Sequence, residues 1–405
     1  MGSEMCIRDR LKKVAYISII SFGLISLFGD IIYEGARSIV PTYLKLLGAS
    51  AVIVGTVIGL GEFLGYALRL LSGYVADVKK SYWPFVFVGY GLLVVIPLLA
   101  LTMDWRLAVI LILLERIAKA MRSPARDTLL SVTTKGVGTG KAFGFHELMD
   151  QIGAVTGPAI VTLILFYTGD IKLAFLTLGI PYLILVSVLL LGYKRMSPFT
   201  KRALESIERK SKVEEKLTST FYLYSLAVFL NTAGLIHMAL ILYIATAVFP
   251  KDLEYLIPVV FLVIQLVDAV MALIAGYSYD KIGRTFLIFP FILSIFPTIF
   301  ALQFSIQSIW IAAAIFGLVF GMQESVYRAA VADITGISKR GTAYGIFNTL
   351  YGLGFLVSGY IFGYFIDLIE ANVISVEIAI LYSVAMQIVA MAFLILSIKL
   401  AKQSQ

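Results

Sequence analysis

Residues 276–284 read Gly276-Tyr277-Ser278-Tyr279-Asp280-Lys281-Ile282-Gly283-Arg284, and residues 73–80 read Gly73-Tyr74-Val75-Ala76-Asp77-Val78-Lys79-Lys80. Both copies end a long apolar run, and both keep glycine and aspartate four positions apart. Other pairs hold nearly the same offset, about 201–203 residues. Lys141-Ala142-Phe143-Gly144 matches Thr342-Ala343-Tyr344-Gly345, Gly153 matches Gly354, and Arg126 matches Arg328. One four-residue match arises by chance; several in register do not. The chain therefore reads as two related halves.

The composition says what was duplicated. Of 405 residues, 60% are hydrophobic and 14% charged; soluble domains run at about 45–50% and about 25%. The mean hydropathy is +0.94. A soluble fold has no place to hide that much apolar surface. A soluble enzyme, a disordered chain and a nucleic-acid binder are excluded, although the net charge is +8.

A membrane span needs about 20 mostly apolar residues. Twelve such runs are expected, at about 14–44, 50–75, 82–103, 107–130, 141–167, 173–193, 219–248, 255–277, 286–305, 308–331, 342–368 and 373–398. The fold class is an all-α polytopic membrane protein, its twelve transmembrane helices forming two pseudo-symmetric six-helix bundles. The expected divisions are an N-terminus at 1–13, one bundle at 14–193, a basic linker at 194–218, the second bundle at 219–400 and a tail at 401–405. Residues 1–10 are set aside, because Met5-Cys6-Ile7-Arg8-Asp9-Arg10 looks like translated sequencing adapter. The lone Cys6 excludes an intramolecular disulfide.

Lys and Arg fix the orientation. With the N-terminus inside, 22 fall in cytoplasmic segments, eight of them in the linker, and only Lys45, Arg106, Lys172 and Lys251 fall opposite. Both termini are expected in the cytoplasm, with the chain in the plasma membrane of a prokaryote. Both copies of each repeated motif then lie on one side. The halves are parallel repeats, an arrangement that places a site at their interface near the midplane.

The chain resembles the major facilitator superfamily over nearly all of residues 11–400. The carriers are the twelve spans, the basic linker and the loop motif Gly-x-x-x-Asp-(Arg/Lys)-x-Gly-(Arg/Lys). Gly276, Asp280, Lys281, Gly283 and Arg284 fit the motif fully; the first copy keeps Gly73 and Asp77 and is then shortened. Gly144, Gly153, Gly157 and Pro158 resemble the family's antiporter motif without its terminal glycine pair, since Val161 and Thr162 stand there. Arg116 falls on the family's helix-4 arginine, with Ala120 where a glycine is usual. The resemblance implies alternating access, and among family members the look is that of prokaryotic drug:proton antiporters. It implies a gate built on the loop-motif residues with Arg122, Arg126, Asp127 and Arg328. There the motif aspartate can face a helix N-terminus and Asp127 can pair with the basic loop, contacts expected to hold the outward-open state and to break in the inward-open one.

Charges inside spans are expensive and functional by default. Asp30, Glu34 and Arg37 share one face of the first span. Two carboxylates a turn apart in low dielectric do not both ionise readily, which suits a group that takes up and releases protons. Structural pairing of Glu34 with Arg37 is the competing reading. Glu62 lies near mid-span of the second, with Arg69 on the same face. Glu115, Lys119, Arg122 and Arg126 line one stripe of the fourth, beside Arg116. His146 and Asp150 are one turn apart on the fifth. Proton coupling is therefore expected at Asp30, Glu34, Glu62, Glu115, Arg116 and Asp150. Substrate contacts are expected at Arg37, Arg69, Lys119, Asn231, Gln265, Asp268, Gln323, Glu324 and Tyr351.

No nucleotide-binding loop, nucleophile elbow or His-x-x-x-His pattern appears. No enzyme activity, cofactor or metal is expected. The expected partners are the lipid bilayer, a small-molecule substrate and protons, with no nucleic acid, and the chain is expected to act as a monomer. The first functional reading is proton-coupled efflux of a hydrophobic or cationic compound. The alternative is a proton-coupled symporter or exporter of a small metabolite such as an organic anion or sugar.

Overall fold

The computed structural model describes residues 2–134, 139–205, 217–336 and 339–403, and among them every regular element is a helix. Lys135, linker residues 206–216 and the side chains of residues 1–14 lie outside that description. The membrane-crossing helices are α1 (Gly2–Arg37, resumed as Val40–Leu46), α2 (Ala51–Lys79), α3 (Trp83–Leu101), α4 (Trp105–Thr133), α5 (Thr139–Thr168) and α6 (Ile171–Thr177 and Gly179–Glu205). The second half repeats them as α7 (Ser219–Ala233 and Met238–Val248), α8 (Ile257–Ile282), α9 (Ile288–Leu293 and Phe296–Ala301), α10 (Ile306–Ile334), α11 (Arg340–Glu370) and α12 (Val376–Gln403).

Ten described stretches are long and apolar enough to cross a membrane. One of them, Lys251–Ala301, is 51 residues long and holds both α8 and α9. Helix α4 matches the others in length, but seven charged residues from Arg106 to Asp127 lower its hydropathy. The expected twelve crossings result. Two boundaries differ from expectation. α1 begins at Gly2, ahead of residue 14, and α6 runs to Glu205, so the first part of the basic linker is helical.

Each half opens on a broken helix. α1 stops at Arg37 and restarts at Val40 with Pro41 in its first turn, the one place where a missing N–H and a fixed φ are tolerated. α7 stops at Ala233 and restarts at Met238 behind the N-cap residue His237. Both breaks face the interface between the halves.

Two features tie the halves together. Glycines line a seam between α2 and α11: Gly55 meets Gly359 backbone to backbone, Gly59 meets Phe355 and Leu356, Gly363 meets Ala51, and Gly352 meets Phe63. Without driving force from water, membrane helices associate through such close packing. At the end remote from the chain termini, here the far end, polar contacts add a clasp. The Asp367 carboxylate of α11 accepts from the Ala51 and Val52 amides at 2.7 and 3.1 Å, capping α2 across the interface. Thr42 and Thr246 hydroxyls lie 2.8 Å apart. Lys45 reaches Glu370 at 3.5 Å and stacks on Tyr243. Toward the termini Glu147, Glu324 and Arg328 are exposed. The halves are clasped at the far end and accessible from the other.

The seam makes a sharp prediction. Gly55→Ala would drive Cβ into the Gly359 backbone, whereas Gly65 has no neighbouring atom within 4 Å. Overpacking of this kind costs about 1–3 kcal/mol. Thermal unfolding in detergent should show Gly55→Ala destabilised by several degrees and Gly65→Ala unchanged or slightly stabilised. Equal melting of the two variants would remove the seam from the account.

Candidate functional site

Six charged side chains of the first half form an alternating ladder across three helices. Glu34 pairs with Arg37 at 3.1 Å, and Arg37 pairs with Glu62 of α2 at 3.0 Å. Glu62 then meets Arg116 of α4 at 3.2 Å, Arg116 meets Glu115 at 3.6 Å, and Glu115 meets Arg122 at 3.8 Å. Three carboxylates face three guanidiniums, so the ladder carries no net charge. Buried ions demand this: an isolated charge in a low-dielectric interior costs several kcal/mol, which only pairing and hydrogen bonds offset.

Tyr33 sits at the centre. Its hydroxyl accepts from Arg116, and its ring faces the Lys119 ammonium at 3.6 Å, Arg116 at 4.9 Å and Arg37 at 5.2 Å. A tyrosine ring attracts cations through its negative face. Among the described residues no carboxylate lies within ion-pair distance of Lys119. The ring supplies its partner.

Beside the ladder lies a cavity whose empty space, its open mouth included, is about 440 Å³. The first half contributes Tyr33, Arg37, Glu115 and Arg116 with apolar residues of the α1 break and of α2–α4. The second half contributes His237, Met238, Ala239, Leu242 and Phe261. Both helix breaks therefore border one cavity. His237 is 2% exposed, and its Nδ1 accepts the Ala239 amide at 3.1 Å.

A second cluster lies nearer the termini. Arg126 donates to the Ser26 hydroxyl at 3.0 Å and pairs with Asp127 at 2.9 Å. Ser26 reaches His146 Nε2 at 3.3 Å, and His146 lies 3.5 Å from Asp150. Asp30 feels the charges of Asp150, Lys119, Glu34 and Arg122. It is held there by the α5 glycines: Gly153 packs on Leu27 and Asp30, and Gly157 packs on Ile31 and Gly35. Gly144 has no neighbour within 4 Å, so the motif's first glycine takes no part in that packing.

In the second half the polar groups are mostly neutral and satisfied by one another. Asn231 donates to Ser294 at 3.1 Å and Gln387 at 2.7 Å, and accepts from Gln323 at 3.1 Å and Tyr327 at 2.7 Å. Tyr351 donates to Gln323 at 3.0 Å. Asn231, Gln323 and Tyr351, expected at the substrate, thus spend their hydrogen bonds inside the half. Gln265 and Asp268 are buried on α8, and an Asp268 carboxylate oxygen has no hydrogen-bond partner. Glu324 is exposed and feels Arg328, Lys119, Arg37 and Glu147. Arg69 does not pair with Glu62; it stacks on Tyr66 at 5.3 Å.

With the end bearing the termini accessible, the gate residues have these partners. Asp77 accepts from the hydroxyl of Tyr82, the N-cap residue of α3, at 2.8 Å, and burial together with that bond pushes the Tyr82 pKa up. Asp127 pairs with its neighbour Arg126 at 2.9 Å. Asp280 and Lys281 are exposed, with Lys281 resting on Tyr277, while Arg284 donates to the Asp333 carbonyl at 3.1 Å. The glycines behave alike in both copies: Gly73 faces Pro124 of α4, and Gly276 faces Ser325 of α10. Gly283 adopts φ +71°, which only glycine takes without strain.

The model of the Major Facilitator Superfamily matches residues 17–359 and again 258–403. The chain belongs to the major facilitator superfamily. An uncharacterized protein of Mycobacterium tuberculosis is 33% identical over 383 residues, covering 92% of this chain and 91% of its own. An uncharacterized MFS-type transporter of Methanocaldococcus jannaschii is 27% identical over 372 residues, covering 87% and 88%. Among solved structures, the nucleoside transporter NupG superposes with a TM-score of 0.73 at 14% identity over 93% of this chain and 99% of that one. A peptide transporter POT gives 0.72 at 11% identity over 97% and 98%. At such identities the likeness is one of fold. This superfamily member is a membrane transporter.

Sequence reasoning found the ladder's charges but passed over Tyr33, reached Phe261 only among the phenylalanines of the eighth to eleventh spans, and named His237 without assigning it to the site. Tyr33 stood next to Glu34 and four residues before Arg37, a helical spacing that signals contact. The ladder predicts steep energetics. Glu62→Gln leaves Arg37 and Arg116 short of charge and should cost roughly 3–5 kcal/mol, whereas Glu62→Leu combined with Arg116→Met should recover part of it. Thermal unfolding of the three variants checks this. A double variant less stable than Glu62→Gln alone would show that the pairing is not what stabilises the site.

Proposed function

We propose that the chain exports a small, predominantly apolar compound in exchange for protons by alternating access. The supporting observation is the juxtaposition of the ladder with the cavity: Glu115 and the guanidiniums of Arg37 and Arg116 line the same space as Met238, Leu242 and Phe261 of the other half. A proton arriving on Glu62 removes the negative partner shared by two guanidiniums. The tie between α1, α2 and α4 then loosens where α1 meets α7. When the guanidiniums reclaim Glu62, the proton leaves and the tie reforms. Asp30, one turn below Glu34 and within the field of Asp150, is the entry carboxylate from the end bearing the termini. Arginine stays charged throughout and positions rather than carries the proton.

The basic bias of that end supports a cytoplasmic placement of both termini, in a plasma membrane, and the accessible face is then the one from which cargo is loaded for export. One chain supplies both walls of the cavity, so a monomer suffices. Arg37 and Arg116 on the cavity wall favour a second reading, transport of an organic anion.

Proteoliposomes loaded with a pH dye test the coupling. The probes are 2-naphthoate, 2-naphthamide and 2-naphthylmethylammonium, with protein-free liposomes as baseline. Entry of a transported probe should alkalinise the lumen, and both Glu62→Gln and Asp30→Asn should lower that flux at least about tenfold while leaving probe-for-probe exchange measurable. Lumen acidification above baseline would mean symport. Probe movement with no proton flux would end the proton-coupled reading.

A further inference from the structure

His237 is placed by the break in α7. As N-cap of Met238–Val248 it uses Nδ1 to accept the Ala239 amide. A ring nitrogen that accepts from an amide carries no proton, so the neutral imidazole bears its hydrogen on Nε2. The Phe355 ring stands nearly perpendicular at 88° and 5.2 Å and fixes the imidazole plane. His237 lines the cavity, where the other second-half residues, Met238, Ala239, Leu242 and Phe261, have no side-chain donor. It lies in the field of Glu62, Arg37 and Arg116. The cavity is thus mostly apolar, with one oriented N–H on one half and two guanidiniums, Glu115 and Tyr33 on the other.

We propose that this cavity binds a compound with an apolar body and a carboxylate head, and that His237 Nε2–H is the second half's ligand to that head, opposite Arg37 and Arg116. The inference rests on the cavity being the cargo site of the proposed transporter. A carboxylate accepts charge-assisted hydrogen bonds from all three groups, each stronger than a neutral one. Of the residues lining the cavity only Glu115 is acidic, and Arg116 and Arg122 already hold it, so an ammonium head finds no free partner there. Held this way, the cargo bridges the halves at their two helix breaks and draws them together, so recognition and closure are one event.

Isothermal titration of the full chain in detergent, with no proton gradient, tests the proposal. The 2-naphthoate probe should bind more tightly than 2-naphthamide, and 2-naphthylmethylammonium should give no measurable heat. His237→Asn keeps a good N-cap and loses the distal donor. It should weaken 2-naphthoate about tenfold with little change in melting. His237→Gln keeps a distal donor and loses the cap. It should bind within about threefold of the parent and melt lower. The chain has only two histidines, so ¹⁵N-histidine spectra of the parent and His237→Asn assign the His237 Nε2 resonance, which should move when 2-naphthoate is added. No binding of 2-naphthoate by the parent, undiminished binding by His237→Asn, or preference for the ammonium would each overturn the proposal. Binding that follows this pattern without proton-coupled flux would overturn the antiport reading and leave the carboxylate site standing. Proton-coupled flux with binding indifferent to His237→Asn would do the reverse.

Discussion

A charge removed from water must find its opposite, and the first half of this transporter is organised around that demand. Glu62 is the pivot. It holds Arg37 of α1 and Arg116 of α4 at 3.0 and 3.2 Å, and through them Glu34, Glu115 and Arg122 are placed. The three helices can rotate or tilt only in ways that keep every guanidinium beside a carboxylate. The cavity wall, the position of Tyr33 and the end of α1 at Arg37 follow from it. The second half meets the same low dielectric differently. Asn231 gathers Ser294, Gln387, Gln323 and Tyr327 through neutral hydrogen bonds. A neutral network is indifferent to a proton arriving nearby; a ladder of fixed alternating charge is not. The two halves share a fold and divide the chemistry.

Much of this was visible before any coordinates. Apolar runs of sufficient length are counted directly in the sequence, and the repeat at Gly73 and Gly276 established two parallel halves. The individual charges also stood out, because Glu34, Arg37, Glu62, Glu115 and Arg116 interrupt apolar stretches. Their pairing did not. Arg69 shares a face with Glu62 by spacing, yet Glu62 turns to α1 and α4, because partner choice depends on which helices are neighbours and on their rotation. Asn231 and Tyr351 looked like cavity residues because they are polar; the sequence does not show that they are satisfied by one another. Asp127 looked free for a basic loop, but the residue beside it was already a partner. His237 was ambiguous for a different reason. Its role depends on a break in α7 whose position is marked only by Gly234, and on which ring nitrogen the resulting cap occupies.

Alternating access requires the halves to move relative to one another, and here the features that permit motion and those that restrain it are distinct. The clasp at the far end consists of directional bonds: Asp367 on the α2 amides, Thr42 on Thr246, Lys45 on Glu370. Such contacts break over a short displacement and leave polar groups that water at the surface can satisfy. The seam between α2 and α11 contains little of that kind within the bilayer. Its glycines offer backbone against backbone and no side chain that must be re-paired.

A lever has a fulcrum, and the glycine seam has the properties of one. Points near it travel little during a turn of one half against the other, while points across the bundle sweep a distance proportional to their separation from it. Helices α5 and α8 lie on that opposite side, and so does Glu147, which lies in the field of Asp268 and Glu324 of the other half. Glu62, on α2 beside the axis, would travel least, so its ties to α1 and α4 answer to the charge it carries and not to the displacement of the halves. The closeness of Gly55 to Gly359 thus sorts the acidic groups by their distance from a single axis.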